Sequence, residues 1–217
     1  MNTTYNTCSL LDDFDVLDQR INKNAILDWI KANFINYEGL SISDKPNKDG
    51  LYEANAIYLR PDSNSKLLTN GMFVWKNVVR DFYCVNCYSL TSLKGAPKEV
   101  GGDFNCSGCT SLKTLEDAPK EVGGSFNCSY CEYLTSLEGA PKEVGGGFYC
   151  RYCNLLTSLK GAPEKVNKSF NCSRCDFLKT LEGAPKEVGG DFYCVNCYSL
   201  TSHELPSTTK IKGKIIR

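Results

Sequence analysis

The sequence lacks net charge and has almost no histidine. Lys plus Arg number 25, Asp plus Glu also number 25, and His203 is the single histidine in 217 residues. Without a basic surplus, broad binding to nucleic acid or to an anionic membrane is not expected. His203 has no partner in the sequence with which to form a catalytic pair or a metal site, and we interpret it as exposed. We therefore expect no enzymatic activity, no cofactor and no metal.

Long apolar segments are also absent. No run reaches the roughly 18 residues that a membrane-spanning helix requires. Residues 1–16, MNTTYNTCSLLDDFDV, have neither the basic start nor the long apolar core of a secretory signal. These observations predict a protein without a membrane partner and with a cytoplasmic location.

A repeat of 22 residues dominates the rest of the chain. Each copy begins Phe-x-Cys-x-x-Cys-x-x-Leu, most copies end near Lys-Glu-Val-Gly-Gly, and the phenylalanines stand at Phe82, Phe104, Phe126, Phe148, Phe170 and Phe192. A fixed period of this length is typical of a solenoid, in which each repeat packs against its neighbours. Side chains alternate along an extended segment, so each Phe and the Cys two residues later are predicted to face the core. Pro and Gly-Gly exclude a regular helix from the return path.

This frame resembles the leucine-rich repeat, L-x-x-L-x-L-x-x-N/C-x-L with 20 to 29 residues per copy. Phe104 and Cys106 stand at the second and third leucine positions, and Cys109 stands at the Asn/Cys position, three residues before Leu112. That spacing is similar to the cysteine-containing variety. Val100 comes one residue early for the first leucine, and the Gly-Ala-Pro-Lys-Glu-Val-Gly-Gly return path is similar to that of leucine-rich repeat proteins of phages and bacteria.

The resemblance covers residues 66–210 and implies an α+β fold. The expected architecture is a leucine-rich-repeat-like solenoid with a short-stranded parallel sheet, a non-helical convex side and an N-terminal α/β cap. Residues 1–65 do not show the period and are predicted to form that cap, with helices at 10–21 and 24–35. Residues 66–81 are interpreted as a degraded first copy that precedes the six regular ones.

The end of the chain predicts a second cap. In residues 203–217 the frame is lost, and isoleucines alternate with lysines. We expect a last strand there whose lysines face outward, because lysine on an edge strand opposes pairing with other chains. The outward lysines would be Lys210, Lys212 and Lys214.

Thirteen cysteines are present, and twelve of them form two columns: Cys84, Cys106, Cys128, Cys150, Cys172 and Cys194, and Cys87, Cys109, Cys131, Cys153, Cys175 and Cys197. Successive Cys-x-x-Cys pairs fit a zinc-ribbon spacing, so a zinc-stapled structural repeat protein is the alternative hypothesis. Stacked strands, however, would spread the thiols along the axis instead of gathering four in a tetrahedron. We therefore predict reduced, metal-free thiols that pack as small buried groups.

The outward strand positions vary between copies, whereas the core positions barely do. In leucine-rich repeats this outer face lines the concave side, the usual binding surface, and Tyr and Arg are enriched at interface hot spots. The resemblance therefore implies a non-enzymatic protein-protein interaction module, with a phage-borne inhibitor of a host protein as its specific form. A homodimer through a sheet edge is a further arrangement left open. The predicted partner-binding residues are Asn127, Tyr130, Tyr149, Arg151, Tyr152, Asn171 and Arg174.

Overall fold

Two parallel sheets run the length of the repeat region. The computed structural model describes residues 41–42, 54–58 and 77–217, and this part of the chain forms a parallel β-solenoid of about six turns with no helix. The Phe sheet contains β4 (Phe82–Tyr83), β6 (Phe104–Asn105), β8 (Phe126–Asn127), β10 (Phe148–Tyr149), β12 (Phe170–Asn171), β14 (Phe192–Tyr193) and β16 (Ile215–Ile216). The Val sheet contains β3 (Asn77–Val78), β5 (Glu99–Val100), β7 (Glu121–Val122), β9 (Glu143–Val144), β11 (Lys165–Val166), β13 (Glu187–Val188) and β15 (Lys210–Ile211).

The register of both sheets follows the 22-residue period, as predicted. Each turn of the solenoid is here called a rung and is named by its phenylalanine. Phe148 pairs with Phe126 on one side and with Phe170 on the other. Val166 pairs in the same way with Val144 and Val188. Residues 22 apart therefore become neighbours across the stack.

The second strand of each rung was not predicted. The sequence indicates one strand per copy, and the return path does lack helix, yet its Glu-Val segment pairs with its own copies above and below. The N–H of Gly123 donates to the carbonyl of Val100 at 2.9 Å, and the N–H of Lys120 donates to that of Lys98 at 2.8 Å. Close stacking of the rungs thus provides hydrogen-bond partners for the backbone N–H and C=O groups of the return path. Without it, these groups would need water or a helix to supply their partners. The described fold is therefore two-sided and all β.

The core consists of columns of identical side chains. The six phenylalanines are completely buried and form one stack, with ring centroids 5.0 to 5.4 Å apart. Both cysteine columns, the two leucine columns and the valine column are buried around them, as predicted from the alternation. No single rung encloses this core, so each rung depends on its neighbours for burial.

The thiols are unbridged, and each second-column thiol from Cys109 onward is bonded to the backbone of the preceding rung. Cys109 Sγ donates to the carbonyl of Cys84 at 3.0 Å, and Cys131, Cys153, Cys175 and Cys197 repeat this contact at 3.1 to 3.3 Å. A donated hydrogen bond requires the protonated thiol. The observed burial agrees with the prediction, while the expectation that these thiols bind no metal stays a prediction.

Burial and these contacts hold several thiols in the neutral form. Burial raises the pKa of Cys153 well above its ordinary value. Hydrogen bonding with the thiol of the next rung, together with burial, does the same to the pKa of Cys106, Cys150 and Cys172. At these positions the core favours uncharged sulfur over thiolate, the form that metals and electrophiles require. Cys197, in the last rung, differs, because hydrogen bonding with Cys172 lowers the pKa of Cys197 to about 7.

The two ends of the described solenoid close differently. At the start, β2 (Ala54–Tyr58) pairs with β4 through Ile57 and Phe82 and with β3 through Ala54 and Val78, so one strand serves both sheets. It also pairs antiparallel with β1 (Ser41–Ile42). At the other end, the tail forms two short strands, β15 and β16, instead of one. Its lysines Lys210, Lys212 and Lys214 are exposed, as predicted.

The predicted N-terminal helices at 10–21 and 24–35 lie outside the described residues. Val78 pairs with Val100, which agrees with the alignment of the degraded copy to the repeat. Within the described ranges, no helix has the length and apolarity needed to cross a membrane.

Candidate binding surface

The outward column of the Phe sheet carries asparagine or tyrosine in each of the six rungs. Asn127 Oδ1 accepts the N–H of Ser129 at 2.9 Å, and Asn171 Oδ1 accepts that of Ser173 at the same distance. These are local turns in which the side chain replaces a backbone acceptor. Asn127 and Asn171, both predicted to bind a partner, therefore already use their carbonyl oxygens to shape the strand end.

Tyr149 lies against its own rung. Most rungs carry Asp or Ser immediately before the phenylalanine, and its oxygen accepts a backbone N–H from the next rung, as Asp103 does from Ser125 at 2.6 Å. Gly147 occupies this position in the Phe148 rung, and a Cβ there would collide with the Tyr149 ring and hydroxyl. The ring thus covers a buried glycine and leaves Tyr149 half-buried instead of projecting freely.

The corner where the chain leaves the Phe sheet carries a stacked cluster. Tyr130 and Tyr152 stack with ring centroids 4.5 Å apart and an angle of 12° between their planes. The Cζ atoms of Arg151 and Arg174 each lie 5.6 Å from the centre of the Tyr152 ring, within cation–π range. We call these four residues the Tyr–Arg cluster. All four belong to the predicted binding set, and the structure brings them together.

The backbone at this corner is left-handed in every rung. The N–H of Tyr130 donates to the carbonyl of Arg151 at 2.7 Å, and the equivalent bond recurs along the stack. The shared geometry gives φ of 60° at Tyr130, 56° at Tyr152 and 59° at Arg174. Asn86, Gly108 and Asn196 hold the same position in the other rungs, with φ between 56° and 72°.

This conformation suits the asparagines and the glycine but not the tyrosines and the arginine. Glycine adopts it freely and asparagine tolerates it, whereas in a bulky residue it is a rare outlier. Each such residue destabilises the fold by roughly 1 to 2 kcal/mol. The Phe126, Phe148 and Phe170 rungs thus carry large side chains at a position where small ones fold more easily, which indicates a role beyond folding.

A second exposed column lies three residues farther along the same corner and was missed in the sequence. Tyr133, Leu155 and Phe177 are 56%, 40% and 54% exposed. We call these three residues the apolar stripe. They occupy the same three consecutive rungs as the cluster, whereas the equivalent residues of the other rungs are Ser89, Ser111 and Ser199. The change from serine to a large apolar residue in three consecutive copies is the sequence signal that identifies this column.

The charges around this corner are mixed. Glu132 and Asp176 lie between the two columns along the chain, opposite in sign to Arg151 and Arg174. Ion pairs in the described part of the chain, such as Lys186 with Glu164 at 2.6 Å, lie on the return path, and none of them involves either arginine. The guanidinium groups therefore stay available to carboxylates from outside.

Two buried polar atoms in the Phe148 rung lack a partner. Among the described residues, Arg151 Nε and Asn154 Oδ1 are buried without a hydrogen bond, and Thr209 Oγ1 is the third such atom. Arg151 and Asn154 flank Tyr152 at the corner. Unpaired polar atoms destabilise a fold, and their concentration here adds to the unfavourable backbone at the same place.

Comparison of the chain with protein-family models, with curated proteins and with solved structures finds no match. The residues of this surface are therefore the basis for inferring a function.

Catalytic or metal-binding groups do not come together at this surface. Across 41–42, 54–58 and 77–217, no group of three or more His, Cys, Asp or Glu residues is placed to hold a metal ion. His203 is exposed in the last loop, where its carbonyl accepts a hydrogen bond from Arg217 at 3.2 Å. The corner offers flat rings, guanidinium groups and apolar area, which are the groups that interfaces use for binding.

Proposed function

We propose that this protein is a non-enzymatic protein-binding module whose Tyr–Arg cluster contacts a partner protein. One observation carries the proposal. In three consecutive rungs, Tyr130, Tyr152 and Arg174 replace the asparagine or glycine that the left-handed corner favours. Large residues at a position that disfavours them are explained by binding better than by folding.

The chemistry of the cluster suits a protein surface. Stacked tyrosines offer rigid, flat contact area at a small loss of side-chain freedom, and arginine forms paired hydrogen bonds with carboxylates. Tyr and Arg are also the residues on which binding energy most often concentrates. Tyr149 is proposed to border this contact from the sheet side.

The finer parts of the proposal follow from the resemblance to leucine-rich repeats. The cluster would lie on the concave side, and the chain would act in the cytoplasm as a phage-borne inhibitor of a host protein. Neutral net charge supports a protein partner over nucleic acid or a membrane. The Cys-x-x-Leu spacing supports the relationship, while the second strand in each rung is a departure from it.

Capture from a host-cell lysate with two variants tests this function. The Tyr130→Asn/Tyr152→Asn variant places the residue of Asn86 and Asn196 at the two corners. It relieves the unfavourable backbone but removes a ring stack worth about 0.5 to 1.5 kcal/mol, so the fold should persist. We expect loss of the captured protein on mass spectrometry.

The matched control changes the same column outside the cluster. Asn86→Gly/Asn196→Gly alters two corners of the terminal rungs and should leave capture unchanged. Equal capture by the Tyr130→Asn/Tyr152→Asn variant and the unaltered protein would refute the role of the cluster.

A further inference from the structure

Resting on the proposed function, the geometry points to one partner class: an amphipathic α-helix that lies along the stack axis. Its apolar side chains would pack on the apolar stripe, and its carboxylates would reach Arg151 and Arg174. Three features of the corner support this partner class: its occupied backbone groups, the spacing of its side chains and its charges.

The backbone of this surface is already occupied. The N–H groups of Tyr130 and Tyr152 donate to the carbonyls of Arg151 and Ser173 in the following rungs, and the strand N–H of Cys150 donates to Asn171. A partner strand therefore cannot add itself to this face by main-chain pairing, and recognition must use side chains.

Spacing favours a helix over an extended peptide. Neighbouring rungs are about 4.8 Å apart, which is the spacing of the stripe side chains along the axis. One helical turn rises about 5.4 Å, so successive turns stay within roughly 1.2 Å of the rungs over two steps. Same-face residues of a strand are about 6.7 Å apart and would drift by almost 4 Å over the same distance.

The stripe is large enough to anchor such a helix. Tyr133, Leu155 and Phe177 form one row of exposed apolar side chains on three consecutive rungs. The exposed ring of Tyr130 and the half-buried ring of Tyr152 lie three residues earlier in two of these rungs. Rows of this kind receive helix residues at i, i+4 and i+7. Beyond these three rungs the stripe column returns to serine, which confines the contact to about two helical turns.

The two arginines favour one orientation of the helix, although Glu132 and Asp176 lie between the two columns along the chain. Arg151 and Arg174 lie on the sheet side of the stripe, and neither forms an ion pair with a described residue. Both are held over Tyr152, which limits their motion before binding. Carboxylates on the sheet-side flank of the helix would therefore meet preorganised guanidinium groups.

The test uses the full chain and a fluorescent synthetic helix of about 16 residues, stapled on its polar face because helices of that length are marginal in water. Leu and Phe stand at i, i+4, i+7 and i+11, with Glu along one flank. One comparison peptide has the same composition in scrambled order, and another has Lys in place of Glu. Fluorescence anisotropy measures the affinity of each.

We expect the Glu helix to bind more tightly than both comparison peptides. Tyr133→Ser/Leu155→Ser/Phe177→Ser, which installs the residue of the other rungs, should weaken binding at least about tenfold. Arg151→Gln/Arg174→Gln should remove the preference for Glu over Lys. Tyr88→Ser/Tyr198→Ser removes two exposed tyrosines outside the stripe and should change nothing. Urea denaturation confirms that each variant folds.

Three outcomes overturn the inference. The first is equal binding of the Glu helix and the scrambled peptide. The second is self-association of the unaltered chain that the serine variant abolishes, which makes the stripe an interface between two copies. The third is tighter peptide binding after Phe14→Ser/Leu17→Ser. That result would mean that the chain's own segment 10–21 competes with the peptide and is the occupant of the stripe. If lysate capture still depends on Tyr130 and Tyr152, the proposed function survives each of these results.

Discussion

Raising the pH from 7.5 to 9.5 should unfold this protein or nearly so. The pKa of Cys106, Cys150 and Cys153 is raised well above its ordinary value in the folded state. A thiol in an unfolded chain ionises near pH 8.5. Since the folded state resists ionisation, the stability that these thiols contribute is fully present below pH 8.5 and is lost as the pH rises toward their folded pKa.

The magnitude follows from these three groups. Cys172 is left out because its hydrogen bond with Cys197 raises the pKa of one thiol and lowers that of the other. One unit above its pKa, each thiol stabilises the unfolded chain by about 1.4 kcal/mol. Three thiols together lower the free energy of unfolding by roughly 4 kcal/mol at pH 9.5, which is close to the whole stability of a marginal domain.

Urea denaturation in a phosphine reductant, followed by circular dichroism at half-unit steps of pH, measures this effect. The reductant prevents disulfide formation in the unfolded state, which would otherwise shift the unfolding equilibrium. Cys150→Ala is the matched variant, and above pH 8.5 its slope of stability against pH should be shallower by about 1.4 kcal/mol per unit. A urea midpoint that stays constant from pH 7.5 to 9.5 would refute the assignment of buried, neutral thiols.

Three further outcomes are expected. Phe126→Ala, which removes a ring stacked on both sides, should lower the free energy of unfolding by about 3 to 5 kcal/mol. Phe192→Ala, beside the C-terminal strands, should lower it by less. Equal losses of stability for the two variants in urea denaturation would contradict nearest-neighbour stacking. Asp117→Gly should raise the melting temperature because φ is 65° there, whereas Gly139→Ala should lower it because φ is 94° and a Cβ would meet the backbone of Leu115. Elemental analysis should find no stoichiometric zinc, and loss of fold on adding a chelator would revive the zinc-stapled alternative.

The register of this fold could be predicted from the sequence, because the period and the alternation constrain each other. With Phe104 inward, Cys106 must also face inward, and a shift of 22 residues places identical side chains in one column. The Val sheet could not be predicted in this way. A two-residue Glu-Val segment shows no alternation, and its pairing depends on how closely the rungs stack.

The candidate surface was predicted only in part. Arg151 and Tyr152 were identified from the variation between copies, but their contact depends on a left-handed corner that Tyr and Arg do not signal. Asn86 and Gly108 in the same column do signal it. The half-buried ring of Tyr149 lies over Gly147, a contact that comparison within the Tyr149 column does not reveal because the glycine is in another column.

The uniform hydrogen bonding between rungs makes the length of this protein adjustable. Each rung offers and accepts the same backbone bonds, so removing residues 104–125 would place Phe126 on Phe82 with the ladder re-formed. Residues 81–92 and 191–202 read DFYCVNCYSLTS in both places, which is the trace that copying of whole rungs leaves. Corner residues can then change without disturbing the core. A lineage of such chains could acquire new partners by substituting corners and new reach by duplicating rungs, two independent routes of evolution within one scaffold.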